Sequence, residues 1–279
     1  SLSSEQAVVF PDPNLEAAVR QAIAKPSGPI YAADLESLTY LWAMQKHITD
    51  LTGLEHCTNL RTLSLGWNQI SDISPLSSLT NLEEVYLSGN QISDLSPLSG
   101  LANLRTLSLS DNLITDISPL ATLTELRQLE LDDNQLSDLW PLAGLTKLHK
   151  LSLRNNRISN LSPLSGLTGL SVLWLSNNEI NELAPLSNLL ELSFLDLMDN
   201  RVENLLPLSD LVNLQYLNLC NNQITDLWPL TDLDNLETLY LSNNQISDVF
   251  PVSYLTDLQS LSLDGNQISD ISPLLSLAN

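Results

Sequence analysis

The chain has 279 residues, and 33 acidic against 11 basic side chains give it a net charge of −22. That charge argues against nucleic acid and anionic membrane surfaces as partners. No apolar run approaches the roughly 20 residues that a spanning helix needs, so membrane insertion is not expected. The opening SLSSEQAVVF lacks the basic start and apolar core of a signal peptide. It reads as the mature end left after cleavage, or as an artificial boundary. Cys57 and Cys220 lie more than seven repeats apart, about 35 Å at the usual strand spacing, so both are expected to be free thiols.

In chain order, Asp12-Pro13 opens a short helix. Asp12 suits the N-cap, Pro13 the first helical position, and Glu16 the positive end of the dipole. Leu15, Val19, Ala22 and Ile23 form its apolar stripe, and the run Lys25 to Pro29 stops it. A second helical piece is expected over Ala32 to Ser37. Residues 38–279 read as a repeat array, and residues 1–37 as a helical cap over its open first end.

The array begins with a degenerate unit in which Lys46 and Gly53 stand where later units carry asparagine and proline. Ten regular 22-residue repeats succeed it, the last incomplete, marked by Asn68, Asn90, Asn112, Asn134, Asn156, Asn178, Asn200, Asn222, Asn244 and Asn266. A fixed period of this length signals a solenoid whose units pack only on their neighbours. Counting from the asparagine as zero, aliphatic residues fill −8, −5, −3, +2, +5, +8 and +11, as in Leu126, Leu129, Leu131, Leu136, Leu139, Leu142 and Leu145. The alternation over −5 to −3 predicts a short strand, and the spacing from +2 to +11 predicts turns with a loose 3₁₀ segment. A carboxamide both donates and accepts, so a stacked Asn ladder can serve the backbones of adjacent coils. Pro75 through Pro273 stiffen the return turn, and Asp or Asn at +4 (Asp72, Asp94, Asn160 and others) suits a turn cap, Glu182 less so.

Catalysis finds little support. His47, His56 and His149 are scattered, with no nucleophile–base pair and no metal-ligand spacing. Cys57 falls in the inward +11 column, so its neighbour His56 does not make it a metal site. Asp132-Asp133 and Asp232/Asp234 lack the loop of a calcium site. Neither a metal nor a cofactor is expected.

The motif LxxLxLxxNxI succeeded by SDISPLxxLTNL resembles the 22-residue leucine-rich repeats of bacterial internalins. FPDPNLEAAVRQAI, DLESLTYL and ITDLTGLEHCTNL are similar to the internalin cap and entry repeat. The resemblance covers residues 10–279. It implies an α/β solenoid: a right-handed leucine-rich repeat superhelix with a parallel sheet on the concave face, 3₁₀ turns on the convex face and an N-terminal helical cap. It also implies a secreted or cell-surface bacterial protein, its signal peptide removed, that binds a partner. Internalins usually continue into an immunoglobulin-like domain and an anchor. The chain stops at Asn279, one residue before the next −8 leucine, and so reads as a fragment or a repeat domain of a longer protein.

Columns on the hollow face vary without harming the core, and binding is expected there. Val172, Trp174, Phe194, Met198 and Tyr216 form an apolar centre. Asp196 and Asp199 stand at its edge with Arg154 one coil earlier, and Glu130 contributes to steering a basic partner; this is the composition of an interface hot spot. A second candidate is Tyr40, Trp42, Met44, Trp67 and Tyr86, whose side chains alternatively pack on the cap or on each other. The acidic patch Asp111, Glu130, Asp132 and Asp133 is expected between the two clusters. On the convex side Trp140, Leu206, Trp228 and Phe250 replace the usual serine at +6, with Tyr254 nearby, as a contact for a second copy or a neighbouring domain. The leading expectation is a monomeric, non-enzymatic module holding a protein ligand on the concave sheet. The alternative is a cell-wall or matrix scaffold that binds glycan or spaces other domains.

Overall fold

The computed structural model describes residues 6–277. Residues 1–5 of the expected cap, and Ala278 and Asn279 of the array, lie outside the described residues. The chain forms two compact units, the first running to Gln135 and the second starting at Leu136.

The first unit opens with a two-residue ribbon that no pattern in the sequence marks. β1 (Ala7–Val8) pairs antiparallel with β2 (Ile30–Tyr31). Between them α1 (Pro13–Ala22) is capped by Asp12, whose carboxylate accepts from the Asn14 and Leu15 N–H groups at 2.9 and 3.0 Å. Its buried side is Leu15, Ala18 and Val19. Ala22, the last helical residue, is exposed, and Ile23, the C-cap, is half-buried: the buried side passes through Ala18 instead of Ala22. α2 (Ala32–Leu35) is a single turn, shorter than the expected Ala32 to Ser37.

Asp12 also ties this segment to the first coil. Its other oxygen accepts from the Thr49 N–H at 2.8 Å and the Asp50 N–H at 3.3 Å. Burial by itself would raise the Asp12 pKa, but the N–H donors of Thr49, Leu15, Asp50 and Asn14 outweigh it and hold it below the usual value. Gly53 completes the junction. At φ 103° it adopts a backbone that side chains disfavour, and a Cβ there would lie 2.5 Å from the Phe10 ring. Glycine replaces the proline of later repeats because Phe10 occupies the space above it.

Parallel strands come next, one per repeat. In the first unit these are β3 (Tyr40–Trp42), β4 (Thr62–Ser64), β5 (Glu84–Tyr86), β6 (Thr106–Ser108) and β7 (Gln128–Glu130). In the second they are β8 (Lys150–Ser152), β9 (Val172–Trp174), β10 (Phe194–Asp196), β11 (Tyr216–Asn218), β12 (Thr238–Tyr240) and β13 (Ser260–Ser262). Each strand covers −6 to −4, one residue earlier than the alternation suggests. Hydrogen bonding nonetheless continues through −3, as from Leu65 N–H to Tyr86 O. Opposite the strands, 3₁₀ turns such as Ser96–Leu98 and Ser162–Leu164 start at +6 with proline second. Their first N–H is held at 2.8–3.0 Å by the +4 side chain where that is Asp or Asn, from Asp72 to Asp270. The turn Ala184–Leu186, which follows Glu182, carries no side-chain cap.

The core is a column of aliphatic side chains. Leu104, Leu107, Leu109, Ile114, Ile117, Leu120 and Leu123 are all within 1% of complete burial. The last coil departs from this. Ile271, in the inward +5 column, is 67% exposed, since no later coil among the described residues covers it.

The asparagines do what a carboxamide allows. Asn112 Oδ1 accepts from the Ile92 N–H at 3.0 Å, and its Nδ2 donates to Leu87 O and Leu109 O at 3.1 and 3.0 Å. One side chain therefore closes its own turn and grips the preceding coil twice. The same three bonds recur at Asn90, Asn200, Asn222 and Asn244. Among the described residues no buried side-chain nitrogen or oxygen lacks a partner.

Two outcomes test this scheme. Asn112→Leu leaves the Ile92 N–H without a partner and takes from Leu87 O and Leu109 O one of two donors each, the others being Asn90 and Asn134. It lowers the unfolding free energy by about 1–3 kcal/mol in urea melts, the cost of one orphaned buried group. Asp12 has a depressed folded pKa, so its contribution is complete above its unfolded value, about 3.9, and disappears as pH falls through the folded one. Asp12→Asn therefore costs stability at pH 7, and its difference from the parent shrinks below pH 4 in acid titrations of unfolding.

Candidate binding surfaces

Strand residues alternate between core and solvent. At −5 the leucines face inward, while −6 and −4 present side chains outward, where composition is free to change. Candidate residues from the sequence occupy this outward face in both units.

In the second unit the register places Val172, Phe194, Tyr216 and Thr238 in one row, and Trp174, Asp196, Asn218 and Tyr240 in the next. The rings form a continuous ladder. Trp174 and Phe194 have centroids 5.3 Å apart, Phe194 and Tyr216 stack at 4.1 Å and 2°, and Tyr216 meets Tyr240 edge-on at 5.8 Å. All four are half-buried, as are Val172 and Met198. Tyr240 is not among the candidates that the sequence supplies. Only the one-per-strand stacking of rings of comparable reach, visible in the register, brings it in.

The charged groups are more integrated than a rim. The Arg154 guanidinium lies over the Trp174 ring, 5.5 Å from its centroid. Asp196 lies inside the cluster beside Trp174. Burial pushes its carboxyl above the usual range, against the Met198 N–H, the Arg154 charge and the Ser176 hydroxyl, all of which favour the ionised form. Asp199 is exposed and accepts from the Asn221 carboxamide at 2.6 Å.

In the first unit Tyr40, Trp42, Met44, Trp67 and Tyr86 line a groove of ≈ 590 Å³ with Ser64, Ser88, Ser108 and three carboxylates, Glu84, Asp111 and Glu130. The cap does not cover these rings. Tyr40, Trp42 and Trp67 are 54%, 62% and 53% exposed. Asp111 and Glu130 line the groove itself, and Asp111 lies close enough to Asp132 and Asp133 to feel their charge, so the acidic patch reaches into the groove. Burial, and then the charges of Asp133 and Asp132, raise the Asp111 pKa. Tyr86 is raised by burial and then by Glu84, to which its hydroxyl donates at 3.2 Å.

Trp67 occupies an unusual backbone position. At −1 of the repeat φ is positive throughout, and the other regular repeats place Gly, Asp or Asn there: Gly89, Asp111, Asp133, Asn155, Asn177, Asp199, Asn221, Asn243 and Gly265. A tryptophan at φ 58° is strained relative to these. Its indole is accommodated by the next coil, because a Cβ on Gly89 would lie 2.5 Å from Trp67 Cε3. The sequence does not single out Gly89, because glycine at that column is explained by its φ alone.

On the 3₁₀ side Trp140, Leu206, Trp228, Phe250 and Tyr254 are all exposed. Trp228, Phe250 and Tyr254 form a triad with centroids 5.8–6.3 Å apart. Cys57 is buried and its thiol is pushed up to about 12, first by burial and then by Glu55. Among the described residues no three His, Cys, Asp or Glu side chains are grouped to hold a metal, and no helix is long and apolar enough to cross a membrane.

The Trp67–Gly89 fit is open to a direct check. Gly89→Ala combines an unfavourable φ with a clash, costs about 1–3 kcal/mol in chemical melts and shifts the Trp67 fluorescence. In a Trp67→Gly background, which has no side chain to meet the new Cβ, the clash vanishes and only the backbone part, about 1 kcal/mol, remains.

The profile for paired leucine-rich repeats matches residues 58–100, 102–144, 146–188 and 234–276, and that for a single leucine-rich repeat matches 213–232. No curated protein matches the chain. Among solved structures, an internalin (inlF) from Listeria monocytogenes is 34% identical over 100% of this chain and 97% of its own, with TM-score 0.72. Internalin C2 of the same species is 34% identical over 94% and 100%, with TM-score 0.63. The ectodomain of the Arabidopsis thaliana receptor kinase GASSHO1/SCHENGEN3, in complex with CASPARIAN STRIP INTEGRITY FACTOR 2, is 26% identical over 81% of this chain and 29% of its own, with TM-score 0.71. The repeat frame, the asparagine ladder and these likenesses place the chain in the leucine-rich repeat family, among the internalin-like proteins.

Proposed function

We propose that the chain is a non-enzymatic binding module of an exported or cell-surface bacterial protein, holding a protein ligand on the outward face of its sheet. Residues 1–37 act as its cap and 38–279 as the array that displays the site, and the module works as a monomer. The observation that carries this reading is the ladder Trp174–Phe194–Tyr216–Tyr240. The leucines between those rings have no exposure at all, so the rings are surplus to the core. Large, pre-stacked aromatics lose little conformational freedom on binding and are the usual anchors of an interface. Arg154 and Asp196 supply fixed polar points among them. Asp199 and the net charge of −22 favour a basic partner and speed its approach. The similar receptor ectodomain is described in complex with CASPARIAN STRIP INTEGRITY FACTOR 2, which supports a binding use of the fold here.

Panning peptide libraries against the module tests the assignment. The selected peptides bind Phe194→Ala and Trp174→Ala at least tenfold more weakly than the parent, while each melting midpoint moves by only a few degrees. Undiminished binding by both variants removes the ladder from the site. Binding on a glycan array that is indifferent to salt and lost in the same variants favours a wall or matrix glycan as the ligand instead.

A further inference from the structure

The groove of the first unit has a chemistry of its own, and it does not depend on how the aromatic ladder of the second unit is read. Along one outward row the residues are Trp42, Ser64, Tyr86, Ser108 and Glu130, each paired in register with the next. Large and small side chains alternate. Trp42 and Tyr86 are two strands apart, about 9.6 Å at the usual strand spacing. Ser64, 5% exposed, forms the floor between them. Tyr40 and Trp67, the latter seated over Gly89, add two more rings to the same ≈ 590 Å³ groove. An opening of this width between rings suits a flat cationic group stacked against an aromatic face.

The electrostatics select the same kind of occupant. Glu84, Asp111 and Glu130 line the groove. Among the described residues no Lys or Arg forms an ion pair with any of the three. Nor does any cation lie over Trp42, Trp67 or Tyr86. The second unit differs, since there Trp174 already carries Arg154 on its face and Asp196 already feels that charge. In the first unit Lys46 lines the adjoining pocket with Tyr40, Trp42 and Met44, but among the described residues no base is paired with the groove's carboxylates or stacked on its rings.

We propose that this groove is a recognition pocket for a basic side chain, an arginine of a peptide or protein ligand. Its guanidinium stacks against the indole and phenol faces and donates to the carboxylates at the groove's acidic end.

Titration with N-acetyl-arginine methylamide, monitored through the indole N–H signals of Trp42 and Trp67, is the test. Dose-dependent shifts at both indoles are expected. They are absent with the citrulline analogue, which has nearly the same size and shape but no charge. Tyr86→Ala and Glu130→Gln each weaken binding roughly fivefold or more, and thermal melts of both variants verify that they fold. Equal shifts from the citrulline compound overturn the proposal. So does arginine binding unchanged in both variants, or shifts confined to Trp174. Choline run in parallel separates the other source of an organic cation, and tighter binding of choline than of the arginine derivative overturns the assignment to a peptide side chain.

Discussion

Each coil is too small to fold by itself, and the asparagine carboxamide is where one coil becomes dependent on the next. Where a short strand turns, the backbone exposes N–H and C=O groups to an apolar interior, and leaving them unpaired costs more than the leucines of one turn can offset. A single side chain with two donors and one acceptor meets that demand across two coils at once, as Asn112 does toward Ile92, Leu87 and Leu109. Neither Asp nor Leu substitutes for it. The first lacks the donors, the second lacks everything polar. The leucine columns supply the driving force, and the ladder fixes the register in which it acts.

Because those requirements are met inside the coils, the outward rows are released from them. Two consequences appear. In the second unit the freed positions carry rings that stack mainly on each other, with Arg154 and Asp196 drawn in among them. In the first unit rings alternate with small residues and leave open slots, bordered by carboxylates that form no ion pair with Lys or Arg among the described residues. Trp67 is the costliest of these choices. It occupies a left-handed position held elsewhere by Gly, Asp or Asn, and the neighbouring coil gives up a side chain at Gly89 to make room. A strained residue whose accommodation is built into the next repeat is better explained by what it contacts outside the coils than by what it does for the core.

Much of this is legible in the sequence, and for a clear reason. A solenoid repeats its own environment, so the −8, −5, −3, +2, +5, +8 and +11 columns announce the interior, and Asn, Pro and Asp at 0, +7 and +4 announce the turns. What escapes are features that do not repeat. The β1–β2 ribbon is two residues long on each side, below any periodicity. Gly53 answers to Phe10, forty-three positions away in the chain, and Gly89 answers to Trp67. The buried side of α1 passes through Ala18 and leaves Ala22 in solvent, a choice of neighbour that spacing does not encode. Glu130 and Asp111 fall in the groove because register, and not distance along the chain, decides neighbours on a sheet face.

Hydrogen exchange gives the most direct test of the dependence placed on the carboxamides. The N–H groups that donate to the ladder, Ile92, Ile114, Ile180 and Val202 among them, sit in turns with no strand partner. If the ladder binds coil to coil, these amides exchange only through global unfolding, as slowly as the strand amide of Leu107 and its counterparts. Exchange at the rate of ordinary exposed turns, in a chain otherwise fully folded, would show that the leucines alone hold the coils together.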